Sequence, residues 1–493
     1  MTIDEVEDIE VLRRAAKLLE AENLVMSKMI VKLKRELFEM KHGKPEQLKL
    51  QISELEDQLA RRNKMLFGDK SEKRPASKAA DESPKKQTGH GRREQPALEE
   101  VEQVHVANVE NETCDLCGGA LHASEGFVEQ SEEIDIIERK FVVKKHIRQK
   151  YKCDCGSCIK TAPGPLKLFD GARYSINFAL HVAINKYADH LPLERQVRGM
   201  NRDGLVVDSQ TLWDQLQALA AQLQPAYDRL KVYVLSQPVI GVDETHWKLM
   251  GVPGKKQGGQ GKRWQAWAVC CPDAVHYSFE SSRSAETAKQ VLGDYAGIAL
   301  TDGYAAYDSL KKRSGNFKQA NCWAHVRRKF LEVEEQNPGK CEAVLELIGK
   351  LYEVERQARG KPPDEVLALR REHSKPILLA IQNWALGAEA LPESNLGKAI
   401  AYMAKLWNGL HVFVEHPEVD IDNNATERAL RGIVLGRKNH YGSRSVRGTE
   451  VAALFYTLIE SAKLAGVGPH TYLHAAINAA LRGVEIPLPH EMR

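Results

Sequence analysis

Two interleaved rows of mostly apolar side chains repeat every seven positions near the start of the chain. The rows are Leu12, Leu19, Met26, Leu33 and Met40, and Ala16, Asn23, Ile30 and Leu37. Their offsets of four and three residues match the d and a positions of a coiled coil, where one Asn at an a position fixes the register. The spacing resumes after a Gly-Lys-Pro break and continues to Leu66. We therefore predict a leucine-zipper-like coiled coil over residues 1–67 that makes the protein a homo-oligomer; a helical hairpin folding on itself is the alternative.

The next segment, residues 68–100, has no aromatic side chain and is rich in Pro, Ser and Lys. This composition cannot bury enough apolar surface to fold, and it predicts a disordered linker. The basic piece GHGRR within it could contact phosphates, although a solvated run of charge is the simpler interpretation.

Five cysteines fall into two short clusters with strand-like residues between them. The clusters are Cys114 and Cys117, and Cys153, Cys155 and Cys158. Four thiolates close a tetrahedron around zinc, so residues 101–168 are predicted to form a zinc ribbon with a structural Zn²⁺. The second cluster offers three thiols for two places, which leaves open the pair that binds. Unliganded core cysteines are the alternative.

Helical periodicity follows in residues 169–233, where three amphipathic segments are predicted. The turn MNRDG separates the last two, and Asp208 or Ser209 can cap the third helix. This outline is typical of a helix-turn-helix that binds DNA. A plain helical bundle would show the same pattern.

Short β-branched and alternating segments between residues 234 and 330 predict the order strand, strand, strand, helix, strand, helix, strand. That order is typical of a ribonuclease-H-like α/β fold. Asp243 lies on the first strand and Asp302 at the end of the fourth. Because these two strands are neighbours in such a sheet, we expect the two carboxylates to meet.

Two carboxylates at adjacent strand positions repel one another unless a divalent cation lies between them. With a third acid they can hold two magnesium ions about 4 Å apart, one activating the nucleophile and one stabilising the leaving oxygen. A strand-end Asp in a turn or cap is the ordinary alternative, but both acids here follow apolar strands.

Glu427 supplies the third acid. Asn423 or Asn424 can cap a helix that places Glu427 in its first turn. Arg428 and Arg431 follow on the same helix, where a phosphate would rest. An i,i+4 pair between Glu427 and Arg431 on a solvated helix is the alternative.

Two helical segments and one catalytic segment complete the predicted organisation. Residues 331–419 form an all-α insertion, residues 420–450 contain the catalytic helix with a basic DNA-contacting segment, and residues 451–493 are helical. Predicted DNA contacts are Arg327, Arg328, Arg428, Arg431, Arg437 and Lys438. Cys322 and His325 form a C-x-x-H pair, for which a structural role is favoured because no second ligand pair accompanies it.

Overall charge adds little, since 70 basic and 67 acidic residues leave a net charge of +3 over 493 residues. Local patches must therefore carry any nucleic-acid argument. No apolar run reaches the roughly 18 residues of a membrane span, and the acidic N-terminus has no apolar signal core. Nine cysteines, an odd count that includes two clusters, point to metal in a reducing compartment. A cytoplasmic, nucleoid-associated location is expected, with no membrane partner.

The motifs along nearly the whole chain resemble those of the insertion sequence 66 family of bacterial DDE transposases. They are the N-terminal zipper, LFGDKSEK, GHGRR, the cysteine knuckles, KYADHLPLERQ, VDET, LTDGYAAYD, CWAHVRRKF, DNNATERALRGIVLGRKN and LIESAKLAGVGPHTYL. The resemblance implies magnesium-dependent (or manganese-dependent) cleavage at the ends of a mobile element, and strand transfer into target DNA. It also implies Asp243, Asp302 and Glu427 as the catalytic triad, double-stranded DNA as the partner, and help from accessory proteins of the same element.

Two other functions are compatible with parts of the chain. A zipper-dimerised, zinc-containing DNA-binding regulator without catalysis explains the first two hundred residues but leaves the three acids unused. A nuclease of the same ribonuclease-H-like fold would cut DNA without joining it. Strand transfer from a pre-cleaved 3′-end separates the nuclease from the transposase, and magnesium-dependent cleavage excludes the regulator.

Overall fold

The structure, a computed structural model, describes residues 140–152, 159–253, 260–314 and 316–493. The predicted coiled coil, the linker and the five clustered cysteines lie outside these ranges. Strands β1 (Lys150–Lys152) and β2 (Ile159–Thr161) pair antiparallel on either side of the second cysteine cluster. No helix in the described ranges combines the length and the apolar character needed to cross a bilayer.

Three helices precede the main sheet: α1 (Ile176–Tyr187), α2 (Leu193–Arg202) and α3 (Ser209–Leu235). The sequence predicts their starts because side-chain oxygens cap two of them. The Ser175 hydroxyl accepts from the backbone N–H of Phe178 at 3.2 Å, and an Asp208 carboxylate oxygen accepts from that of Thr211 at 2.7 Å. Residues of α1 and α3 are buried in the same apolar core as the sheet. The DNA-binding role of this region stays a prediction.

The main sheet contains β3 (Val239–Pro253), β4 (Gln260–Cys270), β5 (Val275–Glu280), β6 (Ile298–Thr301) and β7 (Lys318–Asn321). Its strand order is β5-β4-β3-β6-β7. The first three strands of this sheet, β3, β4 and β5, pair antiparallel, whereas β6 pairs parallel with both β3 and β7. Helix α4 (Ala285–Leu292) lies between β5 and β6 in the chain, and helix α5 (Ala305–Ser314) lies between β6 and β7. The predicted mixed α/β architecture is confirmed.

Between residues 331 and 419 the regular elements are all helical. In chain order the helices from β7 onward are α6 (Trp323–Leu331), α7 (Pro338–Ala358), α8 (Pro363–Leu369), α9 (Lys375–Gly387), α10 (Asn395–Leu410) and α11 (Val412–Glu415). A π-helical turn, Arg370–Ser374, joins α8 to α9. After them come α12 (Asn424–His440), α13 (Val446–Leu464), α14 (Pro469–Leu481) and a final 3₁₀ turn, Pro489–Met492.

Two clusters of buried apolar side chains hold these layers together. One unites β3, β4 and β5 with helices α1, α3, α13 and α14. The other joins β6 and β7 to α6, α7 and α10. The border between the clusters therefore falls near the β3–β6 pair, where the polar side chains of the candidate site lie.

A buried arginine fixes the chain that leads into α12. Arg370 is 3% exposed and donates two hydrogen bonds to Glu355, at 2.9 and 2.7 Å. The same guanidinium donates to the carbonyls of Phe413 at 2.7 Å and Val419 at 3.1 Å. Because it is both paired and fully hydrogen-bonded, its burial is sustainable.

Helix α12 begins in direct contact with strand β3, at a position without a side chain. A Cβ atom on Gly241 would lie 2.0 Å from the Thr426 hydroxyl and 2.6 Å from the Asn423 amide oxygen. The sequence predicts Asn423 or Asn424 as the helix cap; Asn423 takes the N-cap position, but its side chain makes no cap hydrogen bond. Instead, its amide nitrogen donates to the Val242 carbonyl at 3.0 Å. The start of α12 is therefore tied to the residue that precedes Asp243.

The Gly241→Ala substitution is expected to destabilise the protein, because the added methyl group overlaps two buried side chains of α12. A cost of about 1–3 kcal/mol is typical of such overpacking. Chemical denaturation measures the change. The control is Gly349→Ala in the middle of α7, where nothing lies within 4 Å of the added Cβ and Ala favours the helix by about 1 kcal/mol. Equal stability of the two variants would contradict the close approach.

Candidate active site

The first two predicted acids lie just beyond the point where two parallel strands stop pairing. The β3–β6 pairing ends at Gly241 opposite Leu300, and Asp243 and Asp302 each come two residues later. Successive side chains of a strand point to opposite faces. Asp243 therefore shares the face of Gly241, against which α12 packs, while the buried Ile240 and Val242 point into the core.

Asp302 is held by the turn that follows β6. One of its carboxylate oxygens accepts from the backbone N–H of Tyr304 at 2.8 Å, and its carbonyl accepts from the Tyr402 hydroxyl at 2.9 Å. Gly303 follows with a φ of 84°, a left-handed conformation that glycine adopts without strain. The turn thus keeps the carboxylate at the strand end.

The charged form of Asp243 is disfavoured by its surroundings. Burial, and then the negative charge of Asp302, raise the pKa of Asp243 to about 7. Glu244 and Glu427 add further repulsion, while the Glu244 N–H, 2.7 Å from an Asp243 oxygen, acts in the opposite direction. A buried carboxyl that is repelled by the charges of neighbouring acids fits a divalent cation, which would relieve the repulsion.

The third predicted acid, Glu427, reaches the same place from the first turn of α12. Its Oε1 atom is buried and has no hydrogen-bond partner among the described atoms. That oxygen lies 3.6 Å from His325 Nε2, and Oε2 lies 3.9 Å from the guanidinium of Arg328. Among the described residues, the ion-pair contacts of Glu427 are therefore with α6 and not with Arg431, the partner in the alternative interpretation. An orphaned buried carboxylate oxygen fits a metal ligand.

Two other acids could have replaced Glu427 as the third ligand, and both already have other partners. Glu244 is 1% exposed in its side chain; it accepts from the Tyr307 hydroxyl at 2.6 Å and pairs with Arg283. Asp422 accepts from the backbone N–H of Asn424 at 3.1 Å and from its amide at 2.7 Å. These contacts favour Glu427.

The sequence did not predict the residues that contact Glu244 and the Asp302 turn, which are Arg283, Tyr304 and Tyr307. Burial raises the pKa of Glu244, and hydrogen bonds from Tyr307 and Arg283 oppose that rise. The Arg283 guanidinium also stacks 3.8 Å from the ring centre of Tyr304, the residue that holds Asp302. This chain of contacts links the neighbour of Asp243 to the turn of Asp302. Arg283 and Tyr307 lie 39 and 63 residues from Glu244 in the sequence, so no local sequence pattern predicts these contacts.

The predicted DNA contacts differ in exposure. Arg428, Arg431 and Lys438 are exposed along α12, at a spacing that puts them on one side of the helix. Arg437 is half-buried and donates to the Thr245 hydroxyl at 3.2 Å and to the His246 carbonyl. Part of its donor capacity is therefore already used within the protein.

Two further predicted contacts, Arg327 and Arg328, are half-exposed on α6. A cavity of about 440 Å³ opens beside them. Its lining includes Asp243, Glu427, His325, Arg328, Leu430 and Arg431. Asp243, Glu427, a histidine and two arginines thus line one space that is open to solvent.

Two segments of the chain match families of known proteins. Residues 171–451 match the family described as Transposase IS66 family, a segment that holds Asp243, Asp302 and Glu427. Residues 111–156 match the zinc-finger binding domain of transposase IS66. That second segment includes Cys114, Cys117, Cys153 and Cys155 and ends before Cys158.

Three similar proteins come from Sinorhizobium fredii (strain NBRC 101917 / NGR234), where each carries the name of an uncharacterized protein. Protein y4jD is 32% identical over 394 residues, which cover 77% of this chain and 76% of the relative. Protein y4hP is 28% identical over 402 residues, covering 77% and 72%. Protein y4qI is 29% identical over 427 residues, covering 83% and 77%.

The Asp243→Asn substitution should stabilise the metal-free protein above pH 7. The carboxyl has a raised pKa in the folded state, so the folded protein keeps a proton that the unfolded chain has already lost between about pH 4 and pH 7. Wild-type stability therefore falls as the pH rises through that window, by up to roughly 4 kcal/mol. The asparagine variant lacks this loss.

Denaturation midpoints at pH 5 and pH 8 in the presence of a chelator measure the effect. The control, Asp170→Asn, changes an exposed aspartate and should leave the pH dependence as in the wild type. If Asp243→Asn and wild type lose stability equally between the two pH values, the acids are not mutually repulsive in the folded protein.

Proposed function

The chain belongs to the IS66 family of transposases, and on that premise we propose that it performs divalent-metal-dependent DNA cleavage and strand transfer. The substrates are the ends of a mobile element and a target duplex. The observation that carries the proposal is that Asp243 and Glu427 line one cavity beside exposed cations, while Asp302 lies close enough for its negative charge to raise the pKa of Asp243. A regulator that only binds DNA has no use for a buried, mutually repulsive group of acids.

We also propose that the main sheet is the core of a ribonuclease-H-like fold. Three antiparallel strands followed by two parallel ones, in the order β5-β4-β3-β6-β7, support this assignment. In such a sheet the β3–β6 pair carries the first two acids, and a helix after the insertion carries the third. Helix α12 begins after the helical insertion and occupies that place.

The three acids would hold two Mg²⁺ or Mn²⁺ ions through carboxylate oxygens, leaving coordination positions for phosphate and water. When bound, the ions would activate the attacking hydroxyl and stabilise the leaving oxygen. The chain's own contribution is orientation: Gly241 and Asn423 bring Glu427 against β3, and the Gly303 turn holds Asp302. Because the acids are fixed before metal arrives, little reorganisation is needed at the reaction.

The exposed cations of α12 would hold the DNA backbone. Arg428, Arg431 and Lys438 lie on the helix that begins with Glu427, so a phosphodiester at the acids would have its neighbouring phosphates within their reach. Contacts of this kind position DNA with little sequence information and weaken with salt.

Two further proposals concern residues outside the described ranges. We propose that one structural Zn²⁺ is held by Cys114, Cys117 and two of Cys153, Cys155 and Cys158, which the matched zinc-finger domain supports. We propose that residues 1–67 join chains as a coiled coil, so that one assembly holds both element ends. Accessory proteins of the element would complete it at the nucleoid.

Glu427→Gln should abolish metal-dependent cleavage while DNA binding and folding stay close to wild type. The substitution keeps the size and the helix but removes a ligand charge, and the pairs it weakens are long, at 3.6 and 3.9 Å. Cleavage of labelled element ends and a DNA-binding titration are measured together. Glu460→Gln on α13 is the matched control, because its carboxylate pairs with Lys463 away from the acids.

Ordinary cleavage rates for Glu427→Gln would show that another acid is the third ligand. Joining of a pre-cleaved 3′-end to a target plasmid distinguishes the transposase from a nuclease that only cuts. A wild-type protein that binds DNA but never cuts it with Mg²⁺ or Mn²⁺ would favour the regulator.

Deleting residues 1–67 should lower the assembly state in solution, since sustained heptads bury their apolar seam only against a partner helix. Light scattering of the full chain and the deletion variant measures the mass. A substitution of Asn23 by Leu, which keeps the heptads, should retain an oligomer but relax its size. The same mass with and without the segment would contradict an intermolecular coiled coil.

A further inference from the structure

A second set of possible metal ligands lies beside the acids. Ligand atoms of Cys322, His325 and Glu427 all lie within 4.8 Å of one another. Cys322 occupies the N-cap position of α6, His325 follows one turn later, and Glu427 comes from the first turn of α12. Two helix starts therefore bring a thiol, an imidazole and a carboxylate together.

The sulfur of Cys322 is fully buried and accepts from the backbone N–H of Asn423 at 3.2 Å. The backbone N–H groups of Ala324 and His325 also point at it. Burial raises the pKa of the thiol to about 12, and these three backbone donors oppose that rise.

Each of the other two side chains has one buried polar atom that lacks a hydrogen bond to any described residue. His325 Nδ1 is buried without a hydrogen-bond partner among the described atoms, and so is Glu427 Oε1. The 3.6 Å between His325 Nε2 and Glu427 Oε1 is too long for a hydrogen bond. Such unsatisfied atoms call for an explanation, and a cation shared with Cys322 supplies one.

We propose that Cys322, His325 and Glu427 form a binding site for Zn²⁺ or a divalent cation of similar softness. Thiolate and imidazole ligands select zinc over magnesium. Three protein ligands leave a fourth position open, and His325 and Glu427 line the solvent-accessible cavity that could fill it with water. Binding would release the thiol proton to solvent, as zinc binding to cysteine does.

This site would share Glu427 with the magnesium site, a consequence that rests on the proposed function. A carboxylate bound to zinc beside Cys322 is withdrawn from Asp243 and Asp302, so zinc should inhibit magnesium-dependent cleavage. The binding of zinc itself does not depend on catalysis and can be measured separately.

Zinc stoichiometry of the full chain after equilibrium dialysis tests the binding. His325→Asn, which changes a side chain only 21% exposed at the cavity wall, should bind about one zinc fewer than wild type, and Cys322→Ser should lose the same equivalent. Cys341→Ser, another fully buried cysteine, is the matched control and should lose none. The double substitution Cys114→Ser and Cys117→Ser identifies the zinc-finger metal as a separate equivalent.

Cobalt substitution gives a second readout that misfolding would not mimic. Wild type should show more thiolate-to-cobalt absorption than His325→Asn and Cys322→Ser, while Cys341→Ser matches wild type. Equal zinc content and equal cobalt spectra in wild type and His325→Asn would overturn the site.

Inhibition of cleavage tests the shared ligand. With Mg²⁺ present, added zinc should inhibit wild type at a concentration at least tenfold below that for His325→Asn, each compared with its own zinc-free rate. Zinc binding without any inhibition would overturn the sharing of Glu427. A wild type that lacks cleavage altogether contradicts the proposed function, while the stoichiometry still decides the zinc site.

Discussion

The absence of a side chain at residue 241 allows helix α12 to touch strand β3, and the candidate site depends on that contact. A Cβ there would lie 2.0 Å from the Thr426 hydroxyl. Beside the contact, Asn423 is 1% exposed and donates to the Val242 carbonyl. The contact sets the distance between Glu427, one residue after Thr426, and Asp243, one residue after Val242. A shift of the helix by an ångström would separate the third acid from the other two.

The same contact creates an electrostatic cost. Bringing three carboxylates together in a partly buried place raises the pKa of Asp243, by burial first and by Asp302 second. The neighbouring Glu244 adds less repulsion than a free carboxylate would, because Arg283 pairs with it and the Tyr307 hydroxyl donates a hydrogen bond to it. An arrangement that is unfavourable without a cation and fixed by its neighbours is what a preorganised metal site requires.

The sequence predicted the local elements better than the contacts between them. The order of elements predicts that the strands carrying Asp243 and Asp302 are neighbours, and β3 and β6 do pair in parallel. Asp302 directly follows the end of β6, whereas β3 continues past Asp243 to Pro253. The sequence predicts Asn423 or Asn424 as the cap of α12; Asn423 takes the N-cap position, but its side chain bridges to β3, because a cap pattern cannot reveal a nearby strand carbonyl.

The partner of the C-x-x-H pair could not be predicted from the sequence either. Cys322 and His325 had no second ligand pair in the sequence, and a structural role was favoured. The carboxylate that joins them, Glu427, comes from a helix on the far side of the α-helical insertion. Only the packing of α6 against the start of α12 makes the three groups neighbours, and packing of distant segments leaves no periodic signal.

A crystal structure of the chain grown with Mn²⁺ would show whether Asp243, Asp302 and Glu427 bind one cation together, because anomalous scattering locates the ion without assumptions about activity. We expect manganese between Asp243 and Asp302, with a Glu427 oxygen as a ligand at about 2.2 Å, near the usual range for hard cations. Manganese bound by Glu244 or Asp422 instead, or Glu427 turned away from an occupied site, would contradict that expectation.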